Sequence, residues 1–120
     1  MPENPPPELP IRPEWEVHPK QVKAWLDEKA DLLLLDVRQQ GEWNAAHISQ
    51  ATLVPMNQIE QRLDEIAAWK DKRVVVHCHH GVRSLRATAF LRDKGFTNVY
   101  SMAGGLHAYS LLADPSVPKY

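Results

Sequence analysis

Cys78 is the only cysteine in the 120 residues. One thiol cannot close an intrachain disulfide, and it cannot build a zinc site of the paired-cysteine kind. The longest aliphatic run is Leu32 to Leu35, far short of the roughly 20 residues that cross a bilayer as a helix. The opening MPENPPPELP has neither the basic segment nor the apolar stretch of a secretory leader, so a cytoplasmic location is expected. Neither sign of charge dominates: 14 Lys+Arg stand against 15 Asp+Glu, for a net charge of −1. That balance argues against a nucleic-acid binder working through bulk positive charge and against a polybasic membrane anchor.

The remaining composition, 43% hydrophobic and 24% charged, is that of an ordinary globular domain, and the length fits one domain. Three segments are read. Residues 1–14 form a proline-rich arm, with six prolines among the first 13 residues and Glu3 and Glu8 among them. Proline lacks the N–H that helix and sheet require, so the arm is expected to be extended or disordered. Residues 15–113 form the domain, and 114–120 a short tail from Asp114 to Tyr120. A monomer or weak dimer is expected.

Within the domain, apolar runs alternate with helical periodicity. Trp15 to Val17 reads as a short strand. Val22, Trp25 and Leu26 then place one face of a helix over about Pro19 to Lys29. Leu32 to Val37 is a continuous apolar run suited to a strand buried on both faces. Ala51 to Val54 is a further short strand. Met56, Ile59, Leu63 and Ile66 share one helical face, and Arg73 to His77 is a β-branched strand. A helix over Ser84 to Lys94 ends at Gly95, where a left-handed cap belongs. Thr97 to Met102 reads as the last strand, and Gly104-Gly105 opens a helix through Leu112. Strands alternating with helices predict a mostly parallel sheet covered on both faces, with a site at the carboxyl ends of the strands.

Cys78 falls at such an end, in Val76-His77-Cys78-His79-His80-Gly81-Val82-Arg83-Ser84. A loop between a buried strand and a helix start can turn successive N–H groups inward, and the helix terminus adds partial positive charge. Both favour negative charge on the sulfur and can hold an anion there. Gly81 supplies backbone freedom, Arg83 a fixed positive charge, and Ser84 is placed to cap the helix. Cys78 is therefore read as a nucleophile. His79 and His80 are read as donors at the mouth of the cleft that attract an anion when protonated; His77 reads as a satisfied core histidine. Asp36 and Arg38 end a buried strand, so their charges need partners. They are expected to brace the loop with Glu42 as neighbour, with donor binding as a second role for Arg38. His18, His47 and His107 carry no independent signal, and the four tryptophans read as packing.

At these residues the sequence resembles the rhodanese family of single-domain sulfurtransferases, over nearly everything between the tails. Leu34-Leu35-Asp36-Val37-Arg38, Glu42-Trp43 and His47-Ile48, continued by Ala51 and Pro55, resemble the family's first signature. Cys78 to Arg83 is similar to its six-residue active loop, and Gly95-Phe96, Asn98-Val99 and Ala103-Gly104-Gly105 to its C-terminal pattern. The resemblance implies a three-layer α/β/α sandwich on a five-stranded parallel sheet. It also implies transfer of sulfane sulfur from thiosulfate or a protein persulfide, through a Cys78 persulfide held by residues 79 to 83, to a thiophilic acceptor. That acceptor would be cyanide in an assay and a thiol or sulfur-carrier protein in the cell. The tail is similar to that of rhodanese domains fused to adenylyltransferases of molybdopterin and thiamine sulfur pathways. Two positions depart from the pattern. His79 stands where efficient thiosulfate enzymes carry Arg or Lys, and Tyr109 stands where relatives often have Trp.

Three other readings compete. Phosphatases and arsenate reductases of this fold use Cys-x5-Arg, one residue longer than Cys78 to Arg83, and the shorter ring should be too small for phosphate. His77-Cys78-His79-His80 has the residue types of a metal cluster, but consecutive side chains diverge and no i, i+4 pair or distant cluster completes the ligands. No metal and no organic cofactor are expected. A non-catalytic module that keeps the fold is the alternative function; such modules usually lose the cysteine.

Overall fold

The computed structural model describes residues 9–118; the readings placed on Glu3, Glu8, Lys119 and Tyr120 fall outside them. Five strands, β1 (Glu16–Val17), β2 (Leu32–Asp36), β3 (Thr52–Leu53), β4 (Arg73–His77) and β5 (Val99–Met102), form one sheet in the order β1-β5-β4-β2-β3. Every pairing is parallel. The helices are α1 (Pro19–Asp27), α2 (Gln40–Ala45), α3 (Leu63–Ile66), α4 (Val82–Asp93) and α5 (Gly105–Leu112), with 3₁₀ turns at Met56–Gln58 and Ala67–Trp69.

The side-chain alternation of the central strands makes two cores. Leu33 and Leu35 of β2 and Val74 and Val76 of β4 join Ile66 of α3 and Ala87 and Leu91 of α4 in one cluster. Leu34 and Val75 point the other way, to Val22 of α1 and Leu106 and Tyr109 of α5. Burying an aliphatic side chain of this size is worth about 1.5–3 kcal/mol, so the apolar runs of β2 and β4 require helices on both faces. The result is the expected α/β/α sandwich. Tyr109 lies wholly within the second core, where burial pushes its phenol up to about 12; it is a packing residue.

Several boundaries differ from the periodicity. Met56, Ile59, Leu63 and Ile66 do share one core, but not as one helix: a 3₁₀ turn and α3 divide them, and Arg62 leaves helical backbone at φ −109, ψ 15. Periodicity reports which face is buried, and short turns satisfy it as well as one continuous helix. The six-residue α2 buries none of its side chains and so has no apolar stripe to reveal it. The tail does not end the packing at residue 113. Val117 is buried in the second core, and Ser110 Oγ donates to its carbonyl at 2.7 Å. The end of the arm is likewise tied down, with Arg92 donating to the Glu14 carbonyl at 2.7 Å. Among the described residues no helix is long and apolar enough to cross a membrane.

The topology selects where a site can lie. The chain leaves β2 toward β3 on one side and leaves β4 toward β5 on the other, although β2 and β4 are neighbours. The crevice outside the carboxyl ends of these two strands is thus a topological switch point, the usual ligand position in open parallel sheets. Cys78 follows β4 directly, and Val37-Arg38 follow β2.

Candidate active site

Cys78 is buried, and its Sγ sits where two backbone amides converge. The Gly81 N–H donates to it at 3.1 Å and the Ser84 N–H at 3.4 Å. Ser84 Oγ lies 3.5 Å from the sulfur, donates to the Gly81 carbonyl at 3.2 Å, and pairs with Ser101 Oγ at 2.7 Å. Donors aimed at one atom in a buried place stabilise negative charge on it. Gly81, at φ +103, is the N-cap of α4; only glycine takes that conformation without strain. This corrects the reading of Ser84. The helix begins at Val82, two residues earlier than the periodicity indicated, so Ser84 lies in its first turn, where its amide donates to the sulfur and its hydroxyl oxygen accepts from the Cys78 thiol, instead of capping. Val82 itself is 62% exposed, leaving its backbone as its contribution to the loop. A groove of about 320 Å³, lined in part by Ile11, Arg12, His80 and Val82, runs beside the loop.

Behind the loop runs a chain of charged contacts. Arg38 is fully buried against Asp36, with Nε at 2.9 Å and Nη2 at 2.7 Å from the carboxylate oxygens. Its remaining donors reach the carbonyls of Ala46 at 2.8 Å and Glu42 at 3.3 Å, at the C-terminal end of α2. Glu42 then receives both Arg83 guanidinium nitrogens, at 2.7 and 2.9 Å. The strand end thereby fixes α2, and α2 fixes the first turn of α4. The bracing role of Asp36 and Arg38 matches this geometry. A donor-binding role for Arg38 does not, because the guanidinium is enclosed. Arg83 contributes its charge as half of a bidentate pair with Glu42 rather than as an isolated cation. His47 stacks on Trp43 at 3.9 Å between ring centroids and bonds its carbonyl at 2.8 Å, a structural position.

His77 is buried, as expected of a core residue, but it is not satisfied: neither ring nitrogen has a hydrogen-bond partner among the described residues. Asp36 Oδ2 is 3.7 Å away, beyond hydrogen-bond range. Burial, only partly offset by Asp36, holds the imidazole below its ordinary pKa of 6.5. A group whose folded pKa is depressed in this way binds a proton more readily when unfolded, so stability falls as pH drops through the unfolded value near 6.5. One proton is worth at most about 1.4 kcal/mol per pH unit. Urea midpoints measured from pH 7.5 to pH 5.5 should therefore decline more steeply for the wild type than for His77→Leu. Parallel declines would show that His77 is not the group responsible.

His79 and His80 do not diverge as neighbouring side chains do on a strand. The loop turns between them, and their ring centroids lie 4.0 Å apart. His107, which carries no signal in the sequence, comes from α5 to within 5.1 Å of His80 and 6.1 Å of His79. Burial first, then the His80 and His107 charges, hold His79 below 6.5. The same surroundings that lower its pKa weaken the attraction of an anion by a His79 imidazolium.

What brings α5 here is the double glycine. The Leu106 and His107 N–H groups donate to the carbonyls of Cys78 at 2.8 Å and His79 at 3.1 Å. Gly105, at φ +63, faces those same two carbonyls, and a Cβ there would collide with both. Left-handed backbone costs a residue with a Cβ about 1–2 kcal/mol before any collision. Gly105→Ala should lower stability by at least that much in urea titration and displace the loop enough to slow Cys78 alkylation or sulfur loading. A variant unchanged in both would mean that the glycine is not what seats α5. The sequence marked Gly104-Gly105 as a helix start and Ala103-Gly104-Gly105 as part of a resemblance; its contact with the loop, like that of Ser101, is long-range and has no local signature.

Residues 18–112 match the family described as Rhodanese-like domain. The chain is 32% identical over 87% of its length to the probable adenylyltransferase/sulfurtransferase MoeZ of Mycobacterium tuberculosis, covering 26% of that protein. It is 31% identical over 75% of its length to the tRNA uridine(34) hydroxylase of Cronobacter sakazakii, covering 27% of it. The chain thus spans about a quarter of these curated relatives. Among solved structures, the thiosulfate sulfurtransferase of Pseudomonas aeruginosa superposes with a TM-score of 0.74 at 28% identity, over 81% of this chain and 19% of that one.

Proposed function

Because the chain belongs to the rhodanese-like domain family, we propose that it moves sulfane sulfur through a persulfide on Cys78. The observation that carries this reading is the convergence of the Gly81 and Ser84 amides on a buried Sγ. In the proposed first step the Cys78 thiolate attacks the outer sulfur of thiosulfate. The bond between that sulfur and the sulfonate sulfur breaks, and sulfite leaves with the electron pair. A protein persulfide serves equally as donor, with a thiol leaving. In the second step a nucleophilic acceptor attacks the outer sulfur of the Cys78 persulfide, and the Cys78 thiolate departs as leaving group. Cyanide becomes thiocyanate in this way; in the cell the acceptor is a thiol or a sulfur-carrier protein. The likeness to a probable adenylyltransferase/sulfurtransferase supports sulfur transfer as the reaction. The amides that stabilise charge on Sγ serve both steps, since a thiolate attacks in one and leaves in the other.

No metal or organic group enters either step. The test is intact-protein mass after exposure to thiosulfate without acceptor. A gain of one sulfur atom per chain, reversed by cyanide with release of thiocyanate, is expected. Aryl-phosphate hydrolysis should stay at background, because the loop is Cys-x4-Arg. A chain that stays at its unmodified mass with thiosulfate and with protein-persulfide donors would instead be a non-catalytic module. Phosphatase turnover abolished by Cys78→Ser would replace the sulfurtransferase reading.

A further inference from the structure

The three-histidine cluster beside the loop has no role in the sulfur chemistry above, and it unites residues from two separate elements. We propose that His79, His80 and His107 form a binding site for a divalent transition-metal cation of the zinc, nickel or copper class. One ligand nitrogen from each ring lies within 4.8 Å of the other two. Zn–N bonds of about 2.0–2.1 Å at tetrahedral angles place two bound nitrogens roughly 3.3 Å apart. At most about 1.5 Å of closure is needed, within the reach of side-chain torsions on a loop and a helix surface. His80 and His107 are exposed and His79 half-buried, so a hydrated cation can reach the rings and shed its waters there.

The scaffold holds the two halves together before any ion arrives. The His107 N–H donates to the His79 carbonyl at 3.1 Å and the Leu106 N–H to the Cys78 carbonyl at 2.8 Å. That close approach is possible because Gly105 has no side chain. The loop-to-helix distance that sets the site is therefore fixed by backbone hydrogen bonds, and only ring rotation remains to be ordered. The donor chemistry selects the ion. Three imidazole nitrogens suit zinc, nickel and copper, while calcium and magnesium prefer oxygen donors. Three protein ligands leave a coordination position open to water or an anion.

This inference stands apart from the sulfurtransferase reading, since it concerns imidazoles and not Cys78. The experiment is calorimetric titration of the tag-free full chain with Zn²⁺ at pH 7.5. It is accompanied by NMR of the histidine ring signals. One saturable site per chain is expected, with the His79, His80 and His107 rings shifting and those of His18, His47 and His77 unmoved. Loss of a partner that only orients a ligand typically weakens a metal site 10- to 100-fold, so His107→Gln and His80→Gln should each weaken binding by about 100-fold. Both positions are exposed, and thermal melting of each variant verifies that it folds. His47→Gln and Cys78→Ser should bind as the wild type does. Saturable binding that persists in both glutamine variants, binding lost in Cys78→Ser alone, or no site tighter than about 1 mM (a binding free energy of roughly −4 kcal/mol) would each overturn the proposal.

Discussion

With Cys78→Ala, thiosulfate should add no mass to the protein and cyanide should release no thiocyanate. The chain holds no second sulfhydryl to take over, and the Gly81 and Ser84 amides would have no sulfur to stabilise. Cys78→Ser tests the same point more narrowly. It keeps a polar atom near the two amides but removes the polarizable sulfur that forms the persulfide bond, so it too should stay unloaded. Arg83→Ala leaves the sulfur in place and should load to the same stoichiometry more slowly. Losing an electrostatic contact at an active site costs on the order of 10²-fold. Because Arg83 is held by both Glu42 oxygens, Glu42→Gln should slow loading in the same direction by a smaller factor. Sulfur loading of Cys78→Ala would end the persulfide proposal. Equal loading rates in the wild type and Arg83→Ala would remove Arg83 from the account.

The second large effect is on stability. Arg38→Ala deletes a fully buried guanidinium and leaves the Asp36 carboxylate, itself 0% exposed, without its main partner. Breaking a buried pair from one side costs about 3–5 kcal/mol, because the surviving charge is not compensated. For a domain of this size that corresponds to a fall in Tm of roughly 12 °C or more. The carbonyls of Glu42 and Ala46 lose a donor as well, so α2 should loosen and Arg83 with it. Arg38→Lys should rescue little, since a single ammonium cannot reproduce a planar fork that serves a carboxylate and two carbonyls. The double replacement Asp36→Leu with Arg38→Met should be less damaging than Arg38→Ala alone, as it leaves no orphan charge. Differential scanning calorimetry distinguishes these cases. A Tm for Arg38→Ala within a degree or two of the wild type would show that the pair is not the keystone described.

Much of the architecture follows from local pattern. The runs at Leu32–Leu35 and Val74–Val76 are apolar at every position, which is tolerable only for strands with cores on both faces, and such strands lie in parallel sheets. The loop itself was equally readable, because the cysteine, the glycine and the helix start are contiguous. Where pattern misled, the cause was local as well. The stripe from Met56 to Ile66 marked a buried face but not an unbroken helix. The start of α4 was set by the left-handed Gly81 and not by the first apolar residue, and that moved Ser84 from a capping role to the sulfur.

What lay beyond the sequence was the geometry by which distant segments meet. Arg38 could be known to need a partner, since a charge at the end of a buried strand is too costly alone. That its fork would close on Asp36 and on the carbonyls ending α2 depended on where α2 packs. Arg83 offered a positive charge in the sequence; only the fold brought Glu42, 41 residues away, to claim it. His107 carried no local sign at all, and its approach to His79 and His80 depends on Gly105 letting α5 rest against the loop. Periodicity and contiguous motifs are properties of neighbours along the chain, and they determined the sheet, the helices and the place of the cysteine loop. The brace and the histidine cluster are properties of neighbours in space. They were decided when the two cores closed and set β2, α2, the loop and α5 around one crevice.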